Sequence, residues 1–167
     1  MLRQALLPVV EEIIELEQRL KQLERQLTAI GEQDPVVQRL MTIPGVGLMT
    51  ATAMVASVPD IHTFAHARPF SAWLGITPRE FSSGNTRRLD SITKKGDPYL
   101  RTLLIHGARS ALLAAARIDD EKRTDLQRWA LQLKQHSCHN IAAVALANKM
   151  ARIIWCLWTR QEDYQRR

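Results

Sequence analysis

Two adjacent hydroxyls, Ser82 and Ser83, precede Gly84 and Asn85. Cations follow at Arg87, Arg88, Lys94, Lys95 and Arg101, with Arg79 just upstream. A serine among cations is what covalent attack on a DNA phosphodiester requires. Positive charge lowers the cost of ionising the hydroxyl, and arginines can neutralise the non-bridging phosphate oxygens. Attack would leave a phosphoserine–DNA link that conserves the phosphodiester's energy for rejoining. The same residues also read as a plain phosphate-binding turn, since Ser, Gly and Asn are ordinary turn composition. Taken by themselves, they favour the turn.

A second constellation is Ile43-Pro44-Gly45-Val46-Gly47, set between two apolar segments. Helix, glycine turn, helix resembles the helix-hairpin-helix module of DNA-binding proteins. Gly45 and Gly47 would let backbone approach a phosphate, and the second helix would offer free N–H groups and the positive end of its dipole. The alternative is a tight turn between packed helices, and residues 41–67 contain no Lys or Arg to assist a phosphate. His136, Cys138 and His139 group potential zinc ligands, with Cys156 further on, but no second ligand pair completes a four-ligand site. No metal site is assigned to this chain. His62 and His66 have the spacing of one helical face without a third ligand, and His106 falls mid-helix, where packing or a hydrogen bond explains it.

Several elements must position these residues. Leu2, Leu6, Val9, Ile13, Leu16, Leu20, Leu23, Leu27 and Ile30 alternate at spacings of four and three, a heptad seam with Glu, Gln, Lys and Arg on the other faces. Residues 1–33 therefore read as a coiled-coil helix of roughly 40 Å, stopped by Gly31 and serving to form a homodimer or higher oligomer through residues 2–30. Residues 34–167 read as a helical domain. Asp34-Pro35 and Asp97-Pro98 each give an N-cap followed by a proline at the first helical position. The helix after Asp97 carries Leu100, Leu103, Leu104, Gly107, Ala111, Leu112 and Ala115 on one side, and two further helices are expected at about 124–135 and 139–161. Phe70 and Trp73 read as core residues, and Trp129, Trp155 and Trp158 as core or subunit contacts. The basic loop shows no strand pattern, so the fold class is all-α.

Charge is unevenly distributed. Residues 1–67 hold five Lys and Arg against eight Asp and Glu, whereas residues 68–167 hold eighteen against nine. The second part therefore favours a polyanionic partner, without implying sequence preference. Two cysteines are too few for a disulfide framework, and the N-terminus lacks the pattern of a signal peptide. The apolar stretch 141–158 is interrupted by Asn148, Lys149 and Arg152, which argues against a membrane span. A cytoplasmic protein with no membrane role is the expectation.

Ile43-Pro44-Gly45-Val46-Gly47, Phe64, the run Leu74 to Glu80, Ser83-Gly84, Lys95-Gly96 and Leu100-Arg101-Thr102-Leu103 occur in one fixed order. In that order they resemble the C-terminal transposase domain of the Piv/MooV-like insertion-sequence transposases, the group that includes bridge-RNA-guided recombinases. The likeness covers about residues 40–115, and the flanking helices are similar to that family's layout. The resemblance implies DNA transposition or site-specific recombination, with DNA as partner and a structured guide RNA as a further candidate. It maps the nucleophile onto Ser83, the serine directly before the glycine, with Ser82 as fallback. Gly45, Gly47, Arg79, Arg87, Arg88, Lys94, Lys95 and Arg101 become the candidates for holding nucleic-acid phosphates. Asp97 stands where the family often has Asn, and Asn85 where a second glycine is frequent.

Family members also carry an N-terminal RuvC-like domain whose acidic residues bind magnesium. The present sequence begins at the heptad helix, where Glu11, Glu12, Glu15, Glu17 and Glu24 are the solvated exterior of a coiled coil. No cofactor is therefore expected in this chain, and magnesium only together with a RuvC-like domain. The expectation is the back half of a transposase, inactive by itself. Two other readings stand beside it: a non-catalytic module that binds nucleic acid and regulates a full-length transposase through mixed oligomers, and a purely structural coiled-coil protein.

Overall fold

The computed structural model describes residues 2–83, 86 and 88–165, so Gly84, Asn85 and Arg87 of the basic loop lie outside the described residues. In chain order these form α1 (Leu2–Gln33), α2 (Pro35–Met41), α3 (Leu48–Ser57), α4 (Ala67–Trp73), β1 (Pro78–Glu80), β2 (Leu89–Ile92), α5 (Pro98–Ala116), α6 (Asp125–His136) and α7 (His139–Arg160). Single 3-10 turns lie at Ile61–Thr63 and Asp120–Lys122. The fold is all-α apart from one antiparallel pair, β1 with β2. That pair corrects the reading of the basic loop as patternless. With three and four residues, its strands are too short for a period-2 pattern to show.

Local chemistry starts the helices as the sequence predicts. The Asp34 carboxylate accepts the amides of Val36 and Val37 at 2.8 and 3.3 Å, and Pro35 follows it. Asp97 repeats the device, accepting from Tyr99 and Leu100 at 2.7 and 3.0 Å ahead of Pro98. In α6, Thr124 and Gln127 form a reciprocal capping box. Gly75 ends α4. Its φ of +70° opens a left-handed cap in which Gly75 donates to the Ala72 carbonyl and Ile76 to that of Ser71.

Gly31 behaves otherwise. The helix runs through it to Gln33, and a Cβ there would lie 2.5 Å from Leu48 Cδ1 and 3.3 Å from Val37 Cγ1. Gly31 is thus the contact that seats the end of α1 on α2 and α3, not a helix stop. Ahead of that contact the heptad seam stands free of the domain. Leu6, Val9, Ile13, Leu16, Leu20, Leu23 and Ile30 are each about half or more exposed.

At the centre lies α7, which touches α2, α4, α5, α6 and the Ile61–Thr63 turn. Its length and composition would suffice to cross a membrane, but its apolar side is core: Ala142, Ala143, Leu146, Ala147, Met150, Ala151 and Ile154 are buried. Alanine at these positions lets neighbouring helices approach closely. Opposite them are Leu40, Ile43, Met54, Phe70, Leu74, Leu100, Leu104 and Leu112. Trp155 donates from Nε1 to the Phe64 carbonyl at 3.1 Å, tying α7 to the segment before α4. Trp129, Trp155 and Trp158 pack against the core half-buried. Trp73 departs from expectation, reaching the surface at the edge of an aromatic group with Phe64 and Phe70. His106 is exposed rather than packed.

Candidate nucleic-acid interface

The two strands stand on a base of crossing backbone. The Lys94 amide donates to the Gly75 carbonyl at 3.0 Å and the Thr93 amide to Thr77 at 2.9 Å. A Cβ on Gly96 would lie 2.2 Å from the Trp73 carbonyl oxygen, so only glycine fits where the returning chain passes the end of α4. Arg101 reaches back from α5 and donates to the carbonyls of Gly96 at 3.2 Å and Lys94 at 3.4 Å. Asn148 on α7 donates to the Ile76 carbonyl at 3.0 Å. Helices α4, α5 and α7 thereby all hold the hairpin's foot, while β1 and most of β2 are exposed.

Above the foot, Pro78 pairs with Ile92 and Glu80 with Leu89, leaving Asp90 and Ser91 opposite Arg79. This extra residue is a β-bulge, which turns two side chains toward one partner. Arg79 donates to Ser91 Oγ at 2.6 Å and lies 3.6 Å from Asp90. Pairing continues through Phe81 and Arg88 to Ser83 and Thr86, whose backbones donate to each other at 3.3 and 3.2 Å. Ser83 consequently sits where the hairpin closes. Its hydroxyl has no hydrogen-bond partner among the described residues. Ser82 differs, since its hydroxyl donates to the Glu80 carboxylate at 2.6 Å.

The candidates thus fall into groups that sequence alone could not separate. Ser82, Ser83, Arg79, Arg88, Lys94 and Lys95 share the exposed hairpin. Arg88 and Lys95 carry no ion pair among the described residues, and Lys94 occupies the left-handed region at φ 55°. Arg79 is already partly neutralised by Asp90. Arg101 is a half-buried clamp on backbone carbonyls, and Arg87 lies outside the described residues.

The two turn glycines also part company. A Cβ on Gly45 would meet the Gly107 carbonyl oxygen at 2.5 Å, and one on Gly107 would meet the Gly45 carbonyl oxygen at 2.0 Å. The close approach that Gly45 permits is therefore taken by α5. Gly47, the N-cap residue of α3, is exposed with nothing near its Cα hydrogens.

Other cations adjoin the hairpin that spacing within the loop gave no reason to choose. A cleft of about 690 Å³ runs between the foot of the hairpin and helices α4 and α7, lined among others by His66, Arg68, Asn148 and Arg152. Part of their signal was local, since Arg152 shares one face of α7 with Lys149 and Arg160, whereas Arg68 on α4 joins Arg152 only through the fold. Among the described residues no group of three His, Cys, Asp or Glu side chains could hold a metal ion. Cys138 and Cys156 lie near opposite ends of α7, about 25 Å apart by helical rise.

Fold and site define a helical domain that displays a short basic hairpin on a rigid foot. Residues 37–123 match the Transposase IS116/IS110/IS902 family, and the chain belongs to that family. It is 44% identical over 155 residues to a probable family 20 transposase of Pseudomonas aeruginosa, covering 93% of this chain and 45% of that protein. It is likewise 44% identical over 154 residues to the transposase for insertion sequence element IS1111A of Coxiella burnetii, covering 92% and 41%. A 43.6 kDa protein of insertion element IS110 from Streptomyces coelicolor is 26% identical over 151 residues, covering 90% and 35%. The chain thus spans less than half the length of these relatives, and the likeness to an insertion-sequence transposase drawn from the ordered motifs holds.

Proposed function

We propose that this chain is the DNA-binding and nucleophile-bearing part of an insertion-sequence transposase. The observation that carries the reading is the exposed hairpin, which sets Ser82 and Ser83 toward its closed end near Arg88, with Lys94 and Lys95 at its foot. Binding is electrostatic and tracks the phosphate backbone. In the assembled enzyme a serine oxygen attacks a DNA phosphorus. The bond from phosphorus to the departing sugar oxygen breaks, the hydroxyl proton passes to a base, and the leaving oxygen takes up a proton.

Ser83 is the nucleophile by motif position, and its hydroxyl has no hydrogen-bond partner among the described residues. Ser82 is the competitor, with Glu80 within proton-transfer distance. Magnesium, which the resemblance assigns to a RuvC-like domain, finds no ligand set among the described residues, and no step is routed through it. Arg79 and Arg101 hold the hairpin's shape and reach phosphate less readily than Arg88 and Lys95.

Serine-to-alanine replacement separates the candidates. In a full-length relative, S83A at the matching position should abolish covalent protein–DNA adducts on denaturing gels while leaving DNA retention intact. Adducts that persist in S83A and vanish in S82A would move the role to Ser82.

The exposed seam of α1 also fits a second reading, in which the chain binds nucleic acid without cutting it and regulates a full-length transposase by mixed oligomerisation. Both readings use α1 to associate with a second copy. Guide-RNA binding is the remaining partner to test, by competition of structured RNA against DNA.

A further inference from the structure

The cleft at the hairpin's foot does not end there. A second depression, of about 930 Å³, continues along α7 and shares His66, Arg68 and Arg152 with the first. Lys149, Arg152, Cys156 and Arg160 line it at spacings of three and four, a stripe on one face of α7. By helical rise this stripe is about 16 Å long, enough to lie beside a short run of phosphates of one DNA strand.

Its cations, Arg68, Lys149, Arg152 and Arg160, outnumber the carboxylates that line the two depressions. Arg68, Arg152 and Arg160 have no ion-pair partner among the described residues, and Arg68, Arg152 and Arg160 are exposed. Lys149 stands 4.3 Å over the Trp129 ring, an arrangement that leaves its charge in place. The acidic residues lining the two clefts are Asp163, 3.8 Å from Arg39, Glu80, whose carboxylate accepts from the neutral Ser82 hydroxyl, and Glu162.

We infer that the two depressions form one groove for the sugar–phosphate backbone of DNA, held by Arg68, Arg152 and Arg160 and leading to the hairpin that bears Ser82 and Ser83. The inference rests on the DNA-binding reading above and adds to it a second contact surface, built from α4 and α7. A hairpin this small cannot by itself orient a duplex. A groove at its foot fixes the direction in which the backbone reaches the serines.

The test is binding of a fluorescent DNA duplex by the whole chain, followed by anisotropy across a salt series. Arg68→Gln with Arg152→Gln should flatten the slope of log K against log salt by about two, as expected for two lost phosphate contacts, with unfolding unchanged because both side chains are exposed. Cys156 supplies an independent reading in the unaltered chain. Saturating DNA should slow its alkylation by maleimide several-fold, while the exposed Cys138, outside the groove, reacts as before.

An unchanged slope in the double variant, or alkylation of Cys156 indifferent to DNA, overturns the groove. If Arg88→Gln with Lys95→Gln weakens binding where the groove pair does not, the hairpin reading stands and the groove falls. A wild-type chain that retains no DNA at low salt overturns both. Tighter binding of RNA of equal length, abolished by the same groove substitutions, overturns the assignment to DNA.

Discussion

Two parts of the molecule stand out from the helical core and present opposite surfaces. The first helix, α1, exposes an apolar seam from Leu6 to Ile30 and has its one anchorage where Gly31 meets Leu48 and Val37. The hairpin of β1 and β2 exposes cations and hydroxyls, and is anchored by α4, α5 and α7 together. The roles proposed for the two surfaces account for the contrast. An apolar seam is satisfied by a partner helix whose position can adjust along the heptads, so one anchorage suffices. On the proposed reading a hairpin serine takes part in phosphoryl transfer, which needs fixed geometry because a small displacement of the reacting atom costs much of the rate.

Three variants would break or sharpen that contrast. The largest effect is expected at the seam. Leu16→Asp with Leu20→Asp should convert an associated species to monomer in sedimentation, removing about 4 kcal/mol of apolar burial between copies. The unfolding midpoint of the 34–167 core should hardly move. Sedimentation identical to wild type would show that the seam does not mediate association.

Next comes the platform shared by both projections. Gly107→Ala places a Cβ against the Gly45 carbonyl, where backbone meets backbone and no flexible side chain can yield. Denaturant titration should show a loss of about 3 kcal/mol. Ordinary stability in that variant would mean that α5 and the glycine turn are not in such close contact.

The smallest effect belongs to the hairpin's own charges. Asp90→Asn removes an acidic neighbour and releases Arg79, so DNA affinity should rise and the salt slope steepen by up to about one. Weaker DNA binding in this variant would show that the bulge holding Arg79 to Asp90 and Ser91 is itself needed for contact.

Much of this architecture was legible in order along the chain. Asp34-Pro35 and Asp97-Pro98 announced their helices because an N-cap acts within three residues of itself. The heptads of α1 announced a seam because period is a property of the segment alone. The hairpin was not legible, since its strands are short and its register depends on a bulge. Gly75 and Gly96 were recognised as motif residues for their order, yet their role is the backbone crossing on which the hairpin stands.

The sequence by itself determined where helices start, that α1 carries an apolar seam, that positive charge gathers after residue 68, and that the ordered motifs belong to a transposase domain. Only the tertiary structure decided which glycines touch backbone and which cations remain free. It closed Gly45 against Gly107, tied Arg79 to Asp90, turned Arg101 into a clamp, and brought Arg68 beside Arg152 across 84 residues of chain. The physical reason is range. Caps and periods are written in neighbouring residues, whereas the neutralisation of a charge or the filling of a glycine's space depends on whatever distant segment the fold delivers there.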